Sequence, residues 1–351
     1  MVAMKALVIH GPRDARIDEV PLPTIGEEDV LIRVNCCGVC GTDLMIYGGI
    51  GSLIDAGRIQ YPIRIGHEWS GVVEKVGSKV TKFSPGDRVV GDSGIACGKC
   101  AACRKGDYRN CPNIRSVGTV ECWDGGMAEY IAIPERHLFK LRDNIDMETA
   151  ALIEPLTLAV KAIQTAGITA DSKVFVTGSG SIGIGTVGMI KQCIGAKVVL
   201  GGRNPKKMEK ARLIGADAVI DTTAPNAREL VFEQFPDGPD VVIEASGSVS
   251  ALKLGAEVMA KYGTFCVIGF YERLLDGFDI DGFCMKAGKL CGITGDFGLP
   301  GQTEEMIASA EFLNLKPMIT RRISLDQVPS LLEELYGKRH DEIKVMVRTD
   351  E

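Results

Sequence analysis

From residue 5 to about residue 90 apolar and polar positions alternate, with Gly, Pro and Asp between the runs. Side chains of a strand point to opposite faces in turn, so a period of two predicts half-buried strands. Residues 30–34 form one such run. Residues 69–76 form another, closed by the turn Gly77-Ser78, and Ser84-Pro85-Gly86-Asp87 reads as a turn feeding a strand through Val90. Many short strands in series predict a small β-rich barrel or sandwich. After residues 128–133 the period changes. Residues 147–152 and 156–166 have helical spacing. Short apolar runs at 173–177, 197–200, 218–220, 241–243 and 264–268 then alternate with helical stretches, among them 184–194 and 205–214. Strands alternating with helices predict a doubly wound parallel α/β sheet. Beyond about residue 295 the pattern mixes, with helices expected over 304–313 and 325–336 and a closing strand at 344–347.

At 351 residues the chain exceeds one ordinary core, and two domains are expected. Its 45% hydrophobic and 25% charged residues are ordinary globular usage. The net charge of −6, with no basic run, disfavours nucleic-acid binding. No apolar run has membrane-spanning length, and the first residues lead straight into strand-like sequence without a signal peptide, so a cytoplasmic protein is expected.

Twelve cysteines in a long chain without a secretion signal point to metal rather than disulfides. Cys97, Cys100, Cys103 and Cys111 cluster in one short loop. Four thiolates so close suit a closed, structural Zn²⁺ site. Val39-Cys40-Gly41-Thr42-Asp43 and Gly66-His67-Glu68 together offer a thiolate, an imidazole and a carboxylate, and Glu154 is a candidate further oxygen ligand. A catalytic zinc takes three such ligands and keeps one position open. The remaining cysteines are scattered and read as small buried hydrophobes.

Gly178-Ser179-Gly180-Ser181-Ile182-Gly183 has the form G-x-G-x-x-G, follows a predicted strand and opens a predicted helix. In that context Gly178 allows the tight turn, Gly180 lets the backbone approach a pyrophosphate, and Gly183 lets helix and strand pack closely. The helix N-terminus at Ser181, Ile182 and Gly183 supplies unpaired N–H groups to the phosphates. An acidic residue at the end of the second strand would bind the ribose 2′-OH of NAD. The chain has Gly201-Gly202-Arg203 instead, which favours NADP over NAD, with Lys206 and Lys207 as further cations.

Taken together these motifs resemble the zinc-containing medium-chain alcohol and polyol dehydrogenases across essentially the whole chain. The resemblance rests on Cys40-Gly41-Thr42-Asp43, Gly66-His67-Glu68, Gly86-Asp87-Arg88-Val89, the four-Cys lobe, Glu154-Pro155-Leu156, the Gly178 turn and Gly215-Ala216-Asp217. It implies a GroES-like β-rich catalytic domain over 1–155, a Rossmann dinucleotide-binding domain over 156–294, and a return to the catalytic domain over 295–351. It also implies a homodimer or homotetramer. Glu154-Pro155-Leu156 is similar to sorbitol and threonine dehydrogenases, where alcohol dehydrogenases carry Cys. Carried over, Cys40, His67 and Glu154 ligate the catalytic zinc, Glu68 is a nearby exchanging ligand, and Thr42 hydrogen-bonds the substrate oxygen. Three positions depart from the pattern. Met45 replaces a relay His, Gly94 replaces the His of the threonine enzymes, and residues 292–296 lack the Arg of sorbitol dehydrogenases.

The expected activity is hydride transfer between a secondary hydroxyl of a polyol, sugar or sugar acid and the nicotinamide, with Thr42 passing the proton outwards. The alternatives are a threonine, amino-alcohol or simple alcohol dehydrogenase and, in another class, a non-catalytic dinucleotide-binding zinc protein. Trp69 and Trp123 read either as pocket walls for sugar faces or as packing.

Overall fold

The computed structural model describes residues 3–310 and 313–349. The strand Asp29–Gly38 organises the first sheet. It pairs antiparallel with Glu68–Val76 along one edge. Along the other, its first half meets Tyr130–Pro134 and its last residues meet Lys344–Arg348. A ten-residue strand is long enough to serve two partners on one side, and its register shift between Val34 and Cys36 falls between them. Arg88–Gly91, Leu138–Lys140 and Ile319–Ser324 complete the seven strands. Ile32, Val34, Trp69, Met127 and Ile131 pack its core.

The second sheet has six parallel strands. In space they run Ala218–Asp221, Lys197–Gly202, Lys173–Thr177, Val241–Glu244, Thr264–Val267, Lys289–Gly292. The order reverses beside Lys173–Thr177, and a parallel sheet of this kind binds its ligand in the crevice at the carboxyl ends where the order reverses. Lys289–Gly292 escapes a hydrophobicity reading. Its Lys-Leu-Cys-Gly sequence is mostly exposed because it forms the sheet's outer edge.

Helix Ile153–Ala166 joins the two sheets. Leu156, Ala159, Val160 and Ile163 share one buried cluster with Val174 and Val176 of the parallel sheet and with Cys36 and Val90 of the first. The tail differs from its expected elements in detail. Its first helix is Leu299–Ser309, because Pro300 sits in the first turn, where no intrahelical N–H is lost. The expected 304–313 helix runs too far: it ends at Ser309, Ala310 is extended and Leu313 is not helical, while residues 311–312 lie outside the described residues. The second helix is Val328–Leu335, after a 3₁₀ turn at Leu325–Gln327. Among the described residues no helix is long and apolar enough to cross a membrane.

Candidate active site

Cys40 leaves strand Asp29–Gly38 and caps helix Gly41–Gly48. Its N–H donates to Asp43 Oδ2 at 2.8 Å, which fixes the turn. Thr42, in the first helical turn, brings its Oγ1 to 3.7 Å from Cys40 Sγ. Gly66 has φ +103, and a Cβ there would press on the Met127 N–H at 2.6 Å, so only glycine lets the chain enter the next strand here. His67 and Glu68 follow at once, with Glu68 opposite Gly38. The ligand atoms of Cys40, His67 and Glu68 all lie within 4.8 Å of one another. Glu154, in the first turn of helix Ile153–Ala166, stands outside that group. Its charge acts on His67 across the cleft.

The electrostatics of this cluster call for a cation. Burial works against charge on His67, but Cys40, Glu154 and Asp43 outweigh it and hold the imidazole well above its usual value. Burial raises Asp43 to about 6, against the pull of His67. Burial also raises Glu154, again opposed by His67. His67 Nδ1 and Asp43 Oδ1 lie 3.9 Å apart, both buried and without hydrogen-bond partners. A carboxylate behind a ligating imidazole orients the ring and leaves its other nitrogen for the metal. Thiolate, imidazole and carboxylate in one buried cleft fit Zn²⁺.

Lys344 is the site residue that the sequence pattern concealed. It is 1% exposed, pairs with Glu68 Oε2 and donates to the Val39 carbonyl at 3.0 Å. The strand run it opens gave the only signal, a charge at the start of apolar sequence.

In the lobe, the four sulfurs of Cys97, Cys100, Cys103 and Cys111 also lie within 4.8 Å of one another. The N–H groups of Cys97 and Cys103 point at Cys111 Sγ (3.3 Å) and Cys100 Sγ (3.4 Å). The Lys99 N–H leads in lowering Cys97 to about 6, while burial pushes Cys103 up to about 12. None of the four forms a disulfide. Such a shared set of sulfurs fits a closed zinc site. The lobe is tied inwards: His137 is hydrogen-bonded to Asp92 at 3.1 Å, and Tyr108 and Phe297 pack against its ring. Phe297 also covers Gly94, where a Cβ would meet its ring at 3.0 Å.

At the crevice the three turn glycines have different surroundings. Gly178 has φ +113 and lies against the backbone of Ala245. Gly180 has open space where a Cβ would be. A Cβ on Gly183 would run into the Gly178 carbonyl. Ser181, Ile182 and Gly183 open helix Ser181–Gly188, so their N–H groups have no partner within it. Gly202 is buried against Ser179, and Arg203 is exposed. Glu244, fully buried at the end of its strand, accepts from the Ser246 N–H at 2.7 Å and from the Tyr271 hydroxyl at 2.6 Å. It fixes the loop that faces Gly178. Trp69 is core, and Trp123 donates to the Ala132 carbonyl at 2.7 Å; neither lines the cavity that holds Thr42.

Residues 26–143 match the family described as the alcohol dehydrogenase GroES-like domain, and residues 181–312 match the zinc-binding dehydrogenase family. Sorbitol dehydrogenase of Homo sapiens is 31% identical over 350 residues, 98% of this chain and 96% of that protein. The chain belongs to the zinc-binding medium-chain dehydrogenases. L-Threonine 3-dehydrogenase of Symbiobacterium thermophilum is 34% identical over 91% of this chain and 90% of that protein. A structure described as a zinc-binding dehydrogenase of Sinorhizobium meliloti 1021, bound to NADP, superimposes with a TM-score of 0.88 at 29% identity, covering 99% of this chain and all of that one. The chain is accordingly an oxidoreductase of alcohol and polyol hydroxyls that works with zinc and NAD(P). The fold is that of the family, a GroES-like domain joined to a Rossmann domain.

Proposed function

We propose that this dehydrogenase oxidises a secondary hydroxyl of a polyol, sugar or sugar acid, with NADP as coenzyme. The observation that carries the proposal is Thr42 Oγ1 at 3.7 Å from Cys40 Sγ, a hydroxyl set beside a three-ligand cluster. Cys40, His67 and Glu154 would hold the catalytic zinc, with Glu68 in reserve, and Cys97, Cys100, Cys103 and Cys111 the structural one. When bound, the catalytic metal supplies a Lewis acid, which lowers the pKa of a coordinated water from about 15.7 to about 7, and the coenzyme supplies the hydride acceptor. The chain does the rest. Thr42 Oγ1 orients the substrate oxygen and carries its proton outwards. Asp43 holds the His67 ring in place. Lys344 pairs with Glu68 and holds its carboxylate at the edge of the cluster. Gly178, Gly180 and Gly183 shape the turn, and the N–H groups of Ser181 and Ile182 hold the pyrophosphate. Gly202 and Arg203 stand at the ribose, where the missing carboxylate favours NADP.

The catalytic unit would comprise 1–155 and 295–351 around a coenzyme unit of 156–294, a division supported by Lys344–Arg348 joining the first sheet. A homodimer or homotetramer would cover the open edge at Lys289–Gly292, beside which Leu290 is 53% and Met285 81% exposed.

One observation favours a second reading. The cavity beside Thr42 is walled by Met45, Ile46, Ile50, Leu53 and Ile54, with Glu272 its one carboxylate. Such a wall suits a simpler secondary alcohol or diol better than a fully hydroxylated chain. Gly94, where the threonine enzymes carry His, disfavours threonine.

The test is absorbance of reduced nicotinamide with the zinc-loaded protein, NAD and NADP, and a panel of polyols, sugar acids, simple alcohols and threonine. A polyol or sugar acid should be the best substrate, with NADP. Turnover only with simple alcohols selects the second reading, and turnover only with threonine overturns both.

A further inference from the structure

Between the cysteine lobe and the first sheet lies a cavity of about 450 Å³ that shares no lining residue with the one beside Thr42. Small-molecule sites span about 300–1,000 Å³. Lys99 of the lobe lines it, as do Arg115 of the short strand Arg115–Ser116 and Arg136 of the 3₁₀ turn Glu135–His137. Asn113 and Trp123 stand beside them. Asp29 is the one carboxylate among the described lining residues, and it already accepts from the Gly26 N–H at 2.9 Å.

The two arginines are held in place by neutral acceptors. Arg115 Nε donates to the Glu121 carbonyl at 2.9 Å and its Nη2 to the Cys122 carbonyl, and its Cζ stands 5.0 Å from the centre of the Trp123 ring. Arg136 Nη2 donates to the Ala96 carbonyl at 2.8 Å, while its Nε is buried without a hydrogen-bond partner. The ion pair of Arg136 is with Glu28, 3.6 Å from Nη1 and 68% exposed. An exposed pair at that distance contributes little. Lys99 is exposed, and among the described residues neither it nor Arg115 has an ion pair. Three cations against one engaged carboxylate leave the cavity positive, although the chain as a whole carries −6. Guanidinium groups fixed in this way lose little freedom when their remaining N–H groups take a carboxylate or phosphate.

We propose that this cavity binds a small organic polyanion, a molecule with several carboxylate or phosphate groups, and that the ligand fastens the cysteine lobe to the first sheet. Lys99 holds it from the lobe, and Arg115 and Arg136 hold it from the sheet side. Asn113 adds a neutral donor, and Trp123 gives the cavity an apolar wall. A monoanion would neutralise one of the three cations and leave two. The site stands apart from hydride transfer, since none of its lining residues belongs to the Cys40–His67 cluster or to the Gly178 turn.

The test is titration calorimetry on the zinc-loaded protein with NADP in excess, so that coenzyme phosphate sites are already filled. The probes are tricarballylate (a tricarboxylate without hydroxyl groups), phosphoenolpyruvate and the monoanion propionate. Thermal unfolding and zinc content are measured on the same samples. The native chain should bind at least one polyanion about tenfold tighter than propionate or better, and that polyanion should raise the unfolding temperature. The tighter of the two tells carboxylate from phosphate recognition. Lys99→Glu and Arg136→Gln should each weaken that polyanion by about tenfold or more, the loss of a charge-assisted contact. Lys99 has no side-chain partner among the described residues, so Lys99→Glu keeps the fold and decides the matter even where Arg136→Gln unfolds. Lys105→Glu is the control, a lobe lysine that does not line the cavity, and should leave affinity nearly unchanged. Equal weakening by Lys105→Glu and Lys99→Glu would mean general attraction to a basic lobe and overturn the inference. A native chain that binds both polyanions no better than propionate would overturn it as well.

Discussion

Lys344 and Glu68 form a buried pair whose members cannot be removed singly without cost. Taking away one partner leaves an uncompensated charge in the core. Lys344→Met should therefore lower the unfolding free energy by about 3–5 kcal/mol in a denaturant titration. Pairing it with Glu68→Gln should recover most of the loss. Equal destabilisation in the single and double variants would show that packing, not charge, holds the site. Thr42 makes a different contribution. Its hydroxyl stands beside Cys40, while its backbone belongs to an ordinary helical turn. Thr42→Ala should cut turnover by about a hundredfold or more, with zinc content and coenzyme binding retained. Thr42→Ser should restore much of the rate, since it keeps Oγ. Turnover near the native level in Thr42→Ala would remove that hydroxyl from the proton path.

Among the elements, the tail strand Ile319–Ser324 is fastened to the short helix Met147–Ala151 by Arg322. Its Nε and Nη2 donate to the two Glu148 oxygens at 2.6 and 2.8 Å. The Arg322 hydrogen bond leads in lowering Glu148 from its usual 4.5. A depressed acid stabilises the fold above its unfolded value, and that contribution fades as the pH falls through the folded value. Glu148→Gln should cost roughly 0.5–1 kcal/mol at pH 7. The gap to the native chain should close as the pH falls below about 4 in parallel urea titrations. A constant gap across that range would mean the pair is not electrostatic.

Much at this scale was legible in sequence. The parallel strands announce themselves as apolar runs, and the G-x-G-x-x-G turn sits where strand meets helix. Other elements were not legible, each for a physical reason. Lys289–Gly292 is an edge strand, so no burial stamps a pattern on it. Helix Leu299–Ser309 begins at a proline, which reads as a breaker unless it occupies the first turn.

Across the whole molecule, the hidden parts of the site come from long-range contacts. Lys344 lies 276 residues from Glu68. A sequence shows that such residues are charged, but only the return of the tail shows which are buried and against what. The four-Cys lobe, by contrast, is local and could be read from spacing alone. The two metal clusters are separate in the fold and differ in donors, one sulfur-only and closed, the other mixed. They should therefore be lost independently.

Zinc per chain by metal analysis, with turnover measured on the same samples, tests that account most directly. The native chain should hold two zinc ions. Cys40→Ser should hold one, bind NADP normally and show no turnover. Cys103→Ser should lose the lobe zinc and unfold at lower temperature, with residual turnover tracking the fraction still folded. A Cys40→Ser protein that keeps both ions, or that still turns over substrate, would contradict the assignment of the mixed cluster as the catalytic centre.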